Sequence, residues 1–172
     1  MQTDYPVKAL AILLEADCLP ERYHALLAYK MALLAKLPLL GCRTKSDAEK
    51  LTDDELLRAG LPDAQAVGLF RRFLSLYDAP RQKFREIEKA AADPAQRAAF
   101  YELYALPGVK AVRAGLYYLA GYRSLQAFAA ASVEEVLART ALAIREHSLS
   151  CIQPLPKEVR TQIAVAKAFT EF

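Results

Sequence analysis

Apolar residues recur at three- and four-residue steps along most of the chain. After Pro62, residues Ala66, Leu69, Phe70, Phe73, Leu74 and Tyr77 fall on one side of a 3.6-residue period while Arg71, Arg72 and Ser75 fall on the other. That spacing predicts one amphipathic helix with a basic outer edge. The same period predicts helices over 7–14, 23–37, 84–91, 95–103 and 159–169, and no run of four to eight alternating residues bounded by turn residues interrupts it. The pattern predicts an all-α protein.

Helix-start signals agree. Thr52-Asp53-Asp54-Glu55 and Ser132-Val133-Glu134-Glu135 both fit a capping box, in which a hydroxyl accepts from the third amide and the Glu reaches back to the cap amide. Asp93-Pro94 places a capping acid before a proline whose missing N–H is harmless at a first helical position. Asp78-Ala79-Pro80 marks a break.

The two capping boxes lie eighty residues apart, and the chain matches itself at that offset. Gly41, Arg43, Glu55 and Leu57 align with Gly121, Arg123, Glu135 and Leu137, and Ala25, Leu26 and Lys30 align with Ala105, Leu106 and Lys110. This predicts a degenerate internal duplication, with chance similarity between Leu- and Ala-rich helices as the competing account. The expected organisation is an N-terminal helical unit over 1–79, a connecting helix over 80–93 and a C-terminal unit over 94–172.

Composition sets the class. A chain of 172 residues hides roughly 70% of its unfolded surface on folding. With 54% hydrophobic and 25% charged residues it is neither disordered nor of low complexity. A net charge of +3 is compatible with nucleic-acid contact without arguing for it. Cys18, Cys42 and Cys151 are an odd, widely spaced set, which fits a reduced, cytoplasmic setting better than a disulfide scaffold. Asp4, Pro6 and Glu15 occupy the stretch where an export signal would be basic and then apolar. The longest apolar region, 25–40, is broken by Lys30, Lys36 and Pro38, too short for a membrane span, and is expected to be a buried helix.

One stretch carries a recognisable signal. Leu106-Pro107-Gly108-Val109-Lys110-Ala111-Val112-Arg113-Ala114 is followed by Ala120-Gly121-Tyr122-Arg123-Ser124. It resembles the helix-hairpin-helix (SAM-like) family of DNA-binding modules, whose hairpin runs apolar-Pro-Gly-apolar-Gly, then three residues and an alanine. Leu106, Pro107, Gly108, Val109, Arg113 and Ala114 fall where that pattern wants them, and Lys110 stands at the second glycine. The match covers 103–137; 156–169 is placed to supply a last helix, while 146–153 carries no second glycine hairpin.

The resemblance implies a bundle of two degenerate hairpin units. It also implies non-catalytic contact with the phosphate backbone of DNA, or of RNA, through Gly108, Val109, Lys110, Arg113 and Arg123, with no cofactor, metal or membrane. Glycine lets backbone approach a phosphate, the second helix offers its first amides, and basic residues add a sequence-blind attraction. The same arrangement also serves as a protein-interaction or oligomerisation module, and both readings stand at this point. In the first unit Leu26-Leu27-Ala28-Tyr29-Lys30 lacks Pro and Gly and is expected to be continuous helix, with Lys45, Arg71 and Arg72 as exposed basic residues.

Several chemistries lack their parts. No aspartate follows Asp93, whereas a hairpin glycosylase needs one, and no phosphate-loop, zinc-protease, nucleophile-elbow or dinucleotide motif occurs. His147 and Cys151 stand four apart, but His24 and Cys18 are too distant in sequence to make the short paired spacings of zinc sites. No catalytic residue is assigned. Tyr101, Tyr104, Tyr117, Tyr118 and Tyr122 crowd the hairpin, suited either to stacking on unpaired bases or to packing between helices.

Overall fold

A computed structural model describes residue 4 and residues 6–76 and 84–170. Among these, eleven α-helices and three 3-10 helices form and no strand does; an isolated bridge pairs Pro6 with Thr44. The protein is all-α. Its residues fall into two compact units, one within Met1–Asp78 and the other within Ala79–Thr170.

In the N-terminal unit a 3-10 turn (Val7–Ala9) leads into α1 (Leu10–Leu13), and a longer 3-10 segment (Glu21–Tyr29) leads into α2 (Lys30–Lys36). A third 3-10 turn (Pro38–Leu40) precedes α3 (Lys45–Lys50), α4 (Asp53–Arg58) and α5 (Ala64–Ser75). The single helix expected over 23–37 is therefore two pieces meeting at Tyr29, whose φ of −104° and ψ of −2° leave the α ladder. Core spacing explains the switch. Buried Tyr23 and Leu26 are three apart, the 3-10 repeat, whereas buried Leu33 and Leu37 are four apart. Nor is 25–40 buried throughout, since Met31 and Leu39 are 76% and 83% exposed.

The apolar stripe of α5 buries Ala66, Val67, Phe70, Phe73 and Leu74 and packs on the Glu21–Tyr29 segment and on α4. Phe73 meets Tyr23 edge-on at 6.3 Å between ring centroids and stacks with Phe70 at 6.0 Å. Tyr77 and the break at Asp78-Ala79-Pro80 lie outside the described residues. The basic outer edge of α5 is only partly as expected. Arg72 is exposed, but Arg71 donates to Asp53 Oδ1 at 2.6 Å and to the carbonyls of Leu51 at 2.8 Å and Glu49 at 3.3 Å, lashing α5 to the turn between α3 and α4. Lys45, expected on an exposed face, is buried and pairs with Glu49 at 2.6 Å.

The C-terminal unit comprises α6 (Phe84–Ala90), α7 (Pro94–Leu103), α8 (Ala111–Leu119), α9 (Leu125–Ala129), α10 (Val133–Glu146) and α11 (Pro156–Thr170). Of the connecting helix expected over 80–93, helix α6 forms 84–90 and packs within the C-terminal unit on α7 and α8 with Ile87 buried, while 91–93 are not helical; 80–83 lie outside the described residues. Helix α11 lies on α9 and α10, over a core of Phe100, Tyr117 and Phe128. The Tyr117 and Phe128 rings sit 4.8 Å apart.

The start signals form with one exception. Glu55 N–H donates to Thr52 Oγ1 at 3.3 Å and Thr52 N–H donates to Glu55 Oε2 at 2.8 Å, a complete capping box. Ser132 makes only the forward bond, from Glu135 N–H at 3.1 Å, because the Glu135 carboxylate pairs with Arg139 at 2.7 Å instead of turning back. Thr44 and Asp47 form a box that the Glu-based pattern overlooked. Asp93 caps α7 by accepting from Gln96 N–H at 2.8 Å.

The eighty-residue offset has a backbone counterpart. Gly41 and Gly121 stand at φ of 81° and 95°, and each closes the same pair of helix-ending bonds. Gly41 and Cys42 donate to the carbonyls of Pro38 and Leu37, both at 3.1 Å, and Gly121 and Tyr122 donate to those of Tyr118 and Tyr117 at 3.0 and 2.9 Å. Thr44 and Ser124 then cap the next helix. Beyond this stretch the units differ at Gly60, which ends α4 at φ of 110°, whereas Thr140 at the same offset lies within α10.

Candidate functional site

The turn between α7 and α8 is built from its buried ends. Leu106 and Val109 are sealed in the core, and Val109 N–H donates to the Leu106 carbonyl at 3.2 Å. Between them Gly108 is exposed at φ of 73°, with no atom within 4 Å of where a Cβ would stand. Only glycine enters that backbone region without strain, and here it also leaves the approach to the main chain open. Lys110 follows as the extended N-cap of α8, exposed, with no side chain capping the helix. The first amides of α8 therefore lack the side-chain acceptor that serves α3, α4, α5, α7, α9 and α10.

A buried amide holds the turn from below. Gln162 of α11 is 1% exposed. Its Nε2 donates to the Pro107 carbonyl at 2.9 Å and to Glu158 Oε1 at 3.3 Å, and its Oε1 accepts from the Tyr117 hydroxyl. Burial, with a smaller push from the Glu158 charge, raises Tyr117 far above an ordinary phenol, so it acts only as a neutral donor. Gln162 was missed in the sequence, although a glutamine one step from Val159, Ile163 and Ala166 on an apolar helix face is the signal that would have found it.

The cations expected beside the turn are used differently. Arg113 is not free for a ligand. Its Nη1 donates to the Ile152 carbonyl at 2.8 Å, and its Nε and Nη2 lie 3.2 and 3.4 Å from the two oxygens of Glu158, forming a two-pronged pair. Glu158 also accepts from Leu155 N–H at 3.3 Å. The guanidinium thus ties the first turn of α8 to the first turn of α11, a link between residues too far apart in sequence for any local pattern to show. Val109 contributes a buried side chain and an amide already used within the turn. Arg123 is exposed with its guanidinium 4.9 Å over the Tyr118 ring, but the nine residues of α8, about 14 Å at 1.5 Å each, separate it from Lys110. Of the expected set, Gly108 and Lys110 come together in the open, and Arg123 stands apart.

The tyrosines mostly pack. Tyr104, Tyr117 and Tyr122 are buried, and Tyr101 donates to Glu88 at 2.8 Å. Tyr118 is half-buried under Arg123 and against Phe100. His24 shares a hydrogen bond with the Leu19 carbonyl at 2.9 Å, and among the described residues no group of three or more His, Cys, Asp or Glu is arranged to hold a metal ion. No helix among the described residues is long and apolar enough to cross a membrane. Comparison with protein-family models, with curated proteins and with solved structures finds no match.

Proposed function

We propose that the C-terminal unit binds nucleic acid through the phosphate backbone, without base specificity and without catalysis, as a helix-hairpin-helix-type module. The observation that carries this reading is the exposed Gly108 at φ of 73°, open on its outer side, leading directly into a helix whose cap is the exposed Lys110 and has no capping side chain. A phosphate set against that turn receives helix amides and one ammonium together. Lys110 supplies the charge, Arg123 a second and more distant contact, and Arg113 holds the helix start in place. DNA is the expected partner; RNA shares the backbone chemistry, and a cytoplasmic setting goes with either.

The test is fluorescence anisotropy on a labelled duplex at two salt concentrations. Affinity should fall steeply with salt, by a log–log slope of about 0.9 per phosphate neutralised, and equally for unrelated sequences. Lys110→Glu should weaken binding on all of them. Salt-independent affinity, or strong preference for one sequence, overturns the reading.

A second reading, a protein-interaction or oligomerisation module, draws on the N-terminal unit, where Met31 and Leu39 are 76% and 83% exposed. Light scattering separates it: a stable homo-oligomer that Met31→Ser with Leu39→Ser dissolves would favour it.

A further inference from the structure

The first turn of α8 carries two cations, and the fold treats them differently. Lys110 is the N-cap and Arg113 the third helical residue, the two positions that a capping box brings together. Lys110 is exposed, whereas Arg113 meets an acid of α11. Its Nε and Nη2 lie 3.2 and 3.4 Å from Glu158 Oε1 and Oε2, and its Nη1 donates to the Ile152 carbonyl at 2.8 Å. A guanidinium offers that fork to a phosphate as readily as to a carboxylate. Glu158 does not depend on Arg113 for its position. It reaches back to its own helix start, accepting from Leu155 N–H at 3.3 Å, and Gln162 one turn further on donates to it at 3.3 Å. Gln162 in turn donates to the Pro107 carbonyl at 2.9 Å. Helix α11 thus sets a negative charge against the first turn of α8 by the same chain of bonds that fixes the glycine turn. The ion pair is not sealed, since its two side chains are 20% and 29% exposed.

We infer that Glu158 makes an autoinhibitory contact: its carboxylate stands in for a phosphate on Arg113 and keeps binding at this turn weak. The inference rests on the phosphate-binding reading above and adds to it a residue that holds the affinity down. With Glu158 in place, a phosphate at the turn meets Lys110 and the helix amides, but finds the neighbouring guanidinium already neutralised and a carboxylate beside it. Without that charge, Arg113 joins Lys110 as a second cation in the contact. A pair that only braces α8 against α11 predicts the opposite sign, because its loss would loosen the turn and weaken binding.

Anisotropy of the whole chain on one labelled duplex, read across a salt series, tests this with Glu158→Gln, Arg113→Gln and the double variant. Glutamine keeps an acceptor for the Leu155 N–H and removes the charge. Glu158→Gln should bind roughly fivefold more tightly at about 0.1 M salt and raise the log–log slope by about 0.9, the gain of one phosphate contact. Arg113→Gln alone should leave the slope at the parent value, and in the double variant the gain should vanish. A Glu158→Gln slope equal to or below the parent's overturns the inference. So does a gain that persists without Arg113, which would reflect only the loss of a repelling charge. Thermal melts establish that each variant folds. Should Glu158→Gln not fold, the side-chain nitrogen resonance of Arg113 Nε in the parent decides: on saturating duplex it should stay in place while the Lys110 amide shifts, and a moving Nε resonance overturns the inference. If the parent's affinity is independent of salt, the phosphate reading fails and the autoinhibition with it; if the parent has the expected slope and Glu158→Gln does not raise it, only the autoinhibition fails.

Discussion

Lys30 and Lys110 occupy the same place in the eighty-residue alignment and have opposite fates. Lys30 begins α2 directly out of a 3-10 segment, and its ammonium is paired with Glu15. Lys110 follows an open glycine turn and remains exposed at a bare helix start. Around them the two units repeat their helix-ending glycines, Gly41 and Gly121, and their hydroxyl caps. At the turn itself they differ in two residues, Pro107 and Gly108, where the N-terminal unit has Leu27 and Ala28. Shared caps set the architecture, while the turn decides whether main chain and charge face outward. Each unit also commits an arginine to lashing helices together: Arg71 to Asp53 and two carbonyls, Arg113 to Glu158 and one.

The largest effect expected from breaking this comparison is at Gly60. Its φ of 110° excludes a side chain without strain, and an added Cβ would stand 2.6 Å from Ala32 Cβ. Gly60→Ala should destabilise the N-terminal unit by about 3 kcal/mol, from strain and overpacking together, in chemical denaturation. Thr140→Ala at the equivalent place, which loses a hydroxyl shared between the Val136 and Leu137 carbonyls inside a helix, should change stability by about 1 kcal/mol. Equal effects would show that the two units share more of their architecture than the helix boundaries indicate.

Next comes Gln162→Leu, which leaves the Pro107 carbonyl and the Tyr117 hydroxyl without their buried partner and should reduce stability by about 2 kcal/mol. Hydrogen exchange should rise first at the amides of Val109 and Lys110 and leave α9 protected. A uniform rise would mean that Gln162 supports the whole unit and does not position the turn.

Gly108→Ala and Gly41→Ala form a sharper pair. Neither added Cβ meets an atom within 4 Å, so both should cost about 1–2 kcal/mol from backbone strain alone. On the proposed reading, nucleic-acid affinity should fall only for Gly108→Ala, where the methyl group would stand between a bound phosphate and the main chain.

The smallest effect is on acidification. Hydrogen bonds hold the Asp47 and Glu55 carboxylates below their ordinary range, Asp47 through the Arg43 amide first and then the Thr44 hydroxyl and amide, Glu55 through the Thr52 amide first and then its hydroxyl. A depressed folded-state value means stability that is full above the ordinary range and lost as pH falls from there through the depressed value. Below about pH 4 the amides of α3 and α4 should therefore lose protection relative to their intrinsic exchange rates. At the equivalent of Asp47 the C-terminal unit has Ala127, so α9 should respond less.

Much of the fold was legible because local rules decide it. The apolar period gives α5, α7 and α11, and Thr52 and Asp93 announce their helices. What was not legible depended on contacts that sequence spacing does not reveal. Tyr29 breaks a helix because the core below it changes repeat from three to four, and Lys45 is buried beside Glu49 although its neighbours are polar. At the candidate site the glycine turn was visible in Pro107-Gly108, but the use of Arg113 was not, since its partners lie 39 and 45 residues away. Gln162 was hidden for the same reason, its carbonyl partner being 55 residues distant.

On the proposed function the C-terminal turn meets a phosphate and its N-terminal counterpart does not. The most direct measurement is the salt dependence of duplex affinity for Lys110→Gln and Lys30→Gln beside the parent. Lys110→Gln should bind more weakly at every salt concentration and lower the log–log slope by about one, the loss of a single phosphate contact. Lys30→Gln should leave the slope unchanged. A slope that falls for Lys30→Gln and stays at the parent value for Lys110→Gln would contradict the account.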